Sequence, residues 1–433
     1  MPWPLPTNDK DGALLALQQR DRVRSIHLQS SPRTLEKLFA AMDGMFSVLE
    51  ELVLIAEVYE DESDDGEPCP RLPRMFKAPN LCHLNLIRVG DVLAVVEEGL
   101  PLLATLSGLV SLELVGIPNS HHLPLEYLAS RLSLVPRLEY LGLGFDYASF
   151  GQDSRMLDHA PNVERISLPN LNDIVFKGDS HYLEGLAGRI RAPLLTSFDA
   201  QFFRQPSDNL PYLSGLLSAA NKLRFPVASI KFSWTRMDEP KVMICMAGSE
   251  QTLDRRPEFS RFQMTFYCEP LSEQVARTGE ICAALAPMVS AVERLRLDFE
   301  GDRWDVPGSG GHIKRSRWHD LLRPFRNVMK LQIDPEIMDD LSAALRPDDD
   351  GPSVEILPEL CKLVRPHNGS LGGAFDGFIA TRRLAGRHVI KRRRPRIPCS
   401  KSYCCWEDED GPSFWRNDGF DSDTELDSDT DFL

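Results

Sequence analysis

The sequence predicts an α/β fold: a curved solenoid with a parallel inner sheet and helices outside. Three observations carry that prediction. The motif L-x-x-L-x-L recurs about twelve times, its copies start 25–36 residues apart, and the segments between copies change from period two to period 3.6.

The copies run in order along the chain. They are "VRSIHL" from Val23, "LEELVL" from Leu49, "LCHLNL" from Leu81, "LVSLEL" from Leu109, "LEYLGL" from Leu138 and "VERISL" from Val163. A degraded "LTSFDA" from Leu195 follows, then "VASIKF" from Val227, "FSRFQM" from Phe259, "VERLRL" from Val292, "VMKLQI" from Val328 and a fading "LCKLVR" from Leu360. The last two apolar residues of each copy are two apart, so both fall on one face of a strand. Helical segments alternate with them. "SPRTLEKLFAAMDG" offers Ser31 as N-cap, Pro32 at the first helical position, Leu35, Leu38, Phe39 and Met42 on one face, and Gly44 past the end. "HYLEGLAGRI", "PYLSGLLSAANK", "SEQVARTGEICAAL" and "EIMDDLSAAL" read the same way.

One short strand plus one helix per unit is the leucine-rich-repeat pattern, in which each unit needs only its neighbours for a core. The polar Asn or Cys that usually follows the strand is mostly absent, so the turns are expected to differ and the curvature to be uneven. An ordinary three-layer α/β protein is the rival fold. The expected boundaries are a lead at 1–19, the solenoid at 20–390 and a disordered tail at 391–433.

Of the 433 residues, 42% are hydrophobic and 26% charged, as in soluble globular proteins. The net charge is −15, yet residues 407–433 hold eleven acidic side chains and one arginine. The body is thus only mildly acidic and gives no argument for nucleic-acid binding. Nine scattered cysteines without a CxxC pair suit reduced thiols of an intracellular protein, cytoplasmic or nuclear. Gly99–Ile117 has transmembrane length, but Pro101, Gly108 and Gly116 divide it into short elements, so no membrane span is expected.

Sites for chemistry are missing. No HExxH, GxSxG or Walker loop occurs; "SHH" at His121 and His122 reads as a loop, and "GSGGH" at Gly308–His312 lacks the Lys-Ser/Thr of a phosphate cradle. Cys404 and Cys405, adjacent in "SYCC", do not form a metal-ligand set, and acid pairs such as Asp64–Asp65 read as solvated. The chain is therefore read as a non-enzyme with no cofactor and no metal.

A solenoid binds on its concave face, where the x positions of the strands project. In the first five copies these are Ser25, His27, Glu51, Val53, His83, Asn85, Ser111, Glu113, Tyr140 and Gly142. Later copies offer Lys231, Arg261, Arg294, Arg296, Lys330 and Lys362, a basic ladder suited to an acidic or phosphorylated protein partner. The bland alternative is that these charges only keep an exposed face soluble. The run Lys391, Arg392, Arg393, Arg394 and Arg396 reads as a nuclear-localisation signal or as a solvated end. Ser422 and Ser428 each precede an acidic residue by three positions and suit acidophilic kinases. The acidic tail is a candidate competitor for the basic ladder.

Six phrases, taken together, carry a resemblance: "LQQRDRVRSIHL", "AMDGMFSVLEELVL", "RLSLVPRLEYLGLGF", "YLEGLAGRIRAPLL", "WHDLLRPFRNVMKLQI" and "FDGFIATRRLAGR". Over roughly residues 17–390 the chain resembles basidiomycete fungal F-box proteins with irregular leucine-rich repeats. The resemblance implies a substrate-recognition adaptor: an F-box docks on the linker subunit of a cullin-RING ubiquitin ligase while the repeats hold substrate. This chain departs at its start. About 20 residues precede the first copy, too few for a three-helix box, and "LPEL" at Leu357–Leu360 lies inside the last repeat. The linker subunit is thus an expected partner only if a box is encoded upstream, and a free-standing interaction scaffold is the alternative.

Overall fold

Alternation of apolar and polar residues makes each copy a strand, and the strands hydrogen-bond side by side. The computed structural model describes residues 10–57, 76–89, 107–117, 123–146, 165–206, 210–220, 222–234, 239–255, 261–301, 313–346, 356–365 and 375–393. The described strands are β1 (Ser25–Ser30), β2 (Glu51–Ala56), β3 (His83–Ile87), β4 (Ser111–Ile117), β5 (Tyr140–Phe145), β6 (Ile166–Ser167), β7 (Asp173–Gly178) and β8 (Ile190–Arg191). They continue with β9 (Ser197–Phe202), β10 (Val227–Ser233), β11 (Lys241–Ala247), β12 (Phe262–Tyr267), β13 (Arg294–Glu300), β14 (Lys330–Ile333), β15 (Lys362–Arg365) and β16 (Ile390–Arg393). The described helices are α1 (Lys10–Gln18), α2 (Pro32–Ala41), α3 (Leu125–Leu132), α4 (Ser180–Arg189), α5 (Pro211–Ala219), α6 (Glu250–Arg255) and α7 (Leu271–Ala284). The last are α8 (Ala286–Val289), α9 (Arg315–Leu322), α10 (Met338–Leu345) and α11 (Asp376–Leu384).

Fourteen strands form one sheet in the order β1-β2-β3-β4-β5-β7-β9-β12-β11-β10-β13-β14-β15-β16. Its neighbours pair in parallel except around β11, which runs antiparallel to both β10 and β12. The expected parallel inner sheet is thus mostly present, with the correction that β11 interrupts it in the antiparallel sense. From β9 the chain skips two places to lay down β10, then fills the gap backwards through β11 and β12 before β13 resumes beside β10. "KVMICMA" is, after its lysine, a continuous apolar run without the leucine template, so the motif passes over it.

A second correction concerns the sixth copy. Ile166–Ser167 of "VERISL" pairs only with β8, in a separate two-stranded ribbon. The sheet strand is β7, from "LNDIVF" beginning at Leu171. A recurrent junction shows why. The carbonyl two positions into one copy accepts the N–H groups of two successive residues entering the next strand, as Arg24 does from Glu50 and Glu51, and Cys82 from Val110 and Ser111. Glu139 accepts in this way from Asn172 and Asp173, which places Leu171 in the repeat register. Asparagines add a second stitch. Asn80, Asn170 and Asn327, each just before a copy, donate to the carbonyls of Ser47, Pro136 and Ser290 in the preceding unit.

The third correction is at the C-terminus. Lys391, Arg392 and Arg393, read as the start of the tail, belong to β16, which pairs with β15 in parallel. Arg394, Arg396, Ser422 and Ser428 lie outside the described residues, as do Cys404, Cys405, His121, His122, Gly308–His312 and Asp64–Asp65.

The leucines of the motif all turn to one side. Leu52, Leu54, Leu81, Leu109, Leu138, Leu297 and Leu331 are fully buried there with Phe232, Phe262 and Trp318. The expected helices cover this side. α2 has Ser31 as N-cap, Pro32 at its start and Leu35, Leu38 and Phe39 buried, with Gly44 at φ +135° beyond its end. α4 is capped by Asp179, whose carboxylate accepts the His181 N–H at 2.7 Å. Among the described residues no helix is long and apolar enough to cross a membrane, and Ser111–Ile117 of the apolar stretch is β4.

Candidate functional site on the open sheet face

Residues that alternate with the core leucines form the opposite, open face. Parallel register brings them into rows. One row reads Ser25, Glu51, His83, Ser111, Tyr140, Asp173, Ser197. The next reads His27, Val53, Asn85, Glu113, Gly142, Val175, Asp199, Gln263.

The half of this face from β1 to β9 is acidic at its centre. Gly142, having no side chain, leaves a space where an added Cβ would stand 3.0 Å from the Glu113 side chain and 3.2 Å from the Tyr140 ring. The Tyr140 hydroxyl therefore reaches across and donates to Glu113 Oε1 at 3.4 Å, while Asn85 Nδ2 donates to Oε2 at 2.7 Å. Glu113 is only 8% exposed, and burial raises its carboxyl above the usual range, partly offset by the Tyr140 hydrogen bond. Burial, then the Glu113 carboxylate, pushes the Tyr140 phenol upward, with Asp173 and Asp199 adding to it. Asp199 is pushed up to about 6 by burial alone. Asp173 and Asp199 have no side-chain partner among the described residues. At the edge of the sheet His27 pairs with Glu51 at 3.0 Å.

The other half carries the expected cations, but most are neutralised within the chain. Lys231 pairs with Glu300 at 2.8 Å, and Arg296 with Asp298 at 2.6 Å. The hydrogen bond from Lys231 holds the Glu300 carboxyl below its ordinary value, against a smaller opposing effect of burial. Lys330 reaches Glu250 at 2.5 Å, and Arg294 approaches the same carboxylate at 4.0 Å. Lys362 follows Lys330 in register and has no side-chain partner among the described residues. Arg261, just before β12, is exposed and likewise unpaired among them.

Glu250 belongs to α6, which lies on the open face rather than among the other helices. Its Leu253 buries against Val227, Cys245 and Ala247, with Met243 alongside, in an apolar cluster separate from the main core. Ala228, Ile230, Val242 and Ile244, the alternating neighbours in β10 and β11, face the main core instead. Four of the six cations of the basic ladder are thus balanced within the chain, with a short helix laid across them, while Arg261 and Lys362 have no side-chain partner among the described residues.

Sequence reasoning placed all six cations near this face but missed their counter-charges. Asp298 and Glu300 were legible two and four residues beyond Arg296 in "RLRLDFE". Glu250 was not, because β11 and α6 carry no copy of the repeat. The acidic cluster was missed because Asp173 lies in the strand misplaced by the motif. Among the described residues no group of His, Cys, Asp and Glu is positioned to hold a metal ion. Five cysteines lie among them, none in a disulfide: Cys82, Cys245, Cys268, Cys282 and Cys361. No protein-family model matches the chain, and no curated protein matches it.

Proposed function

We propose that this chain is a leucine-rich-repeat solenoid that binds protein partners across its open sheet face and performs no chemistry of its own. The observation that supports this most is a broad sheet face covered by one six-residue helix among the described residues, with uncompensated acids on one half and bases on the other. Such a face favours a partner of complementary charge and steers its approach. On the basic half the partner contacts Arg261 and Lys362 and is acidic or phosphorylated. The resemblance to F-box proteins makes the role that of a substrate receptor for a cullin-RING ubiquitin ligase, or a remnant of one; a free-standing scaffold is the alternative. An intracellular setting fits either.

Photocrosslinking tests the binding surface. A crosslinker at Gln332, on the open face, should capture a partner that one at Arg323, just past the end of α9, does not. The double substitution Arg261→Glu with Lys362→Glu should weaken that partner at least tenfold, and unchanged capture would refute the surface. Co-purification of the ligase linker subunit separates receptor from scaffold.

A further inference from the structure

We propose that α6 is a displaceable internal ligand, and that the patch beneath it is a docking site for a partner segment bearing carboxylates and a leucine-like side chain. The proposal rests on the reading of the open face as a binding surface and names where and how that surface is regulated.

The patch departs from the pattern around it. On the open face most strand positions carry polar or charged side chains. β10 and β11 instead set Val227 directly opposite Ala247, with Cys245 two residues before Ala247. These three are only 3%, 1% and 4% exposed, and they share their cluster with Leu253, at 8%, and the partly buried Met243. Basic residues stand immediately beside the patch. Val227 pairs in register with Arg294, Arg294 with Lys330, and Lys330 with Lys362. An apolar spot flanked by a cationic row is a built site for an acidic, leucine-bearing segment.

α6 supplies those two features. Glu250 and Leu253 are three residues apart, so on a helix they share one face. Leu253 fills the apolar spot while the Glu250 carboxylate spans Lys330 and Arg294. The other counter-charges, Asp298 and Glu300, sit on β13 itself and cannot leave without breaking the sheet. Glu250 comes from outside the sheet and can. A helix of six residues does not hold its shape alone in water, so α6 depends on those contacts and on Ser249, whose hydroxyl accepts the Thr252 N–H at 3.3 Å. Lys362 extends the row and is left unused by α6, which gives a partner with a second carboxylate the advantage over Glu250.

Cys245 lies under α6 and reports its release. Maleimide labelling of the full chain, mapped by mass spectrometry, gives separate rates for Cys245 and for Cys268 and Cys282 in the main core. Glu250→Gln should speed Cys245 labelling about fivefold, the shift expected from losing exposed ion pairs, and leave Cys282 unchanged. A short poly-glutamate peptide should speed Cys245 in the wild-type chain, and Lys362→Gln should blunt that acceleration. The proposal is overturned if neither Glu250→Gln nor the peptide changes Cys245, or if Cys245 opens only together with Cys282, which reports general unfolding. Capture at Gln332 with a closed Cys245 would leave the binding surface standing and remove only the displacement.

Discussion

Asp199 shows how a single position acquires properties its local sequence does not announce. In "LTSFDA" it occupies the x position between Phe198 and Ala200, an ordinary exposed site in a half-degraded copy. The sheet then encloses it between β7 and β12, with Val175 and Gln263 as register neighbours and no cation in reach among the described residues. Burial raises its folded pKa to about 6, so the folded state binds the proton more tightly than the unfolded chain does. The resulting stabilisation is complete below the ordinary carboxylate value and is lost as the pH rises through about 6. Asp199→Asn should therefore stabilise the fold at pH 7.5 by up to about 2 kcal/mol, allowing for solvent screening. Near pH 4 the gain should vanish, and thermal melts at the two pH values check it. The same residue-scale logic governs Glu113: its neutral hydrogen-bond donors, Asn85 and Tyr140, satisfy its oxygens without cancelling its charge.

At the scale of elements, α2, α4, α5, α7 and α10 were marked in the sequence, the other helices were not, and neither were the contacts of any. The caps and apolar faces of α2 and α4 were readable in "SPRTLEKLFAAMDG" and "HYLEGLAGRI". Nothing local says that Glu184 of α4, 3% exposed, caps the next helix. Its carboxylate accepts the Tyr212 and Leu213 N–H groups of α5 at 2.5 and 2.9 Å. Gly279 is a similar case. A helix-interior glycine costs propensity, about 1 kcal/mol against alanine. Here an added Cβ would meet the backbone of α9, 3.0 Å from Leu321 N and 3.2 Å from the Asp320 carbonyl carbon. Backbone cannot yield as a side chain can, so Gly279→Ala should destabilise by about 1–3 kcal/mol despite its better helix propensity. A urea titration showing stabilisation would contradict the close packing of α7 on α9. α6 is weakly held by the same reasoning: burying Leu253 is worth roughly 2 kcal/mol and exposed ion pairs at most about 1 each.

Outside the block from β9 to β13 the described strands of the large sheet lie side by side in chain order, so each is held mainly by its two neighbours. Among the described residues the end strands β1 and β16 each pair on one side only, and they should exchange backbone hydrogens fastest of the sheet's strands. The block from β9 to β13 is different, because its strands are not in chain order. β10 hydrogen-bonds to both β11 and β13, so releasing it would strip one edge from each, and this block should open as one unit. Native-state hydrogen exchange should show β10, β11 and β12 protected together and above β1 and β16; independent opening of β11 would contradict it. The inversion also matters for the site, since it brings β11 and α6 beside the cations of β13 and β14.

The sequence by itself determined the α/β class, the spacing and identity of most strands, several of the helices between them and many of the residues that line the open face. Those features depend on period, caps and apolar spacing, which are local. Only the tertiary structure decided which strand of the Val163–Phe176 region joins the sheet, where β11 inserts, and which cations keep a free charge. Each depends on partners far apart in the chain: Glu139 with Asp173, Val227 with Ala247, Glu250 with Lys330. Register and electrostatic pairing are set by which surfaces meet, and no period in the chain encodes that.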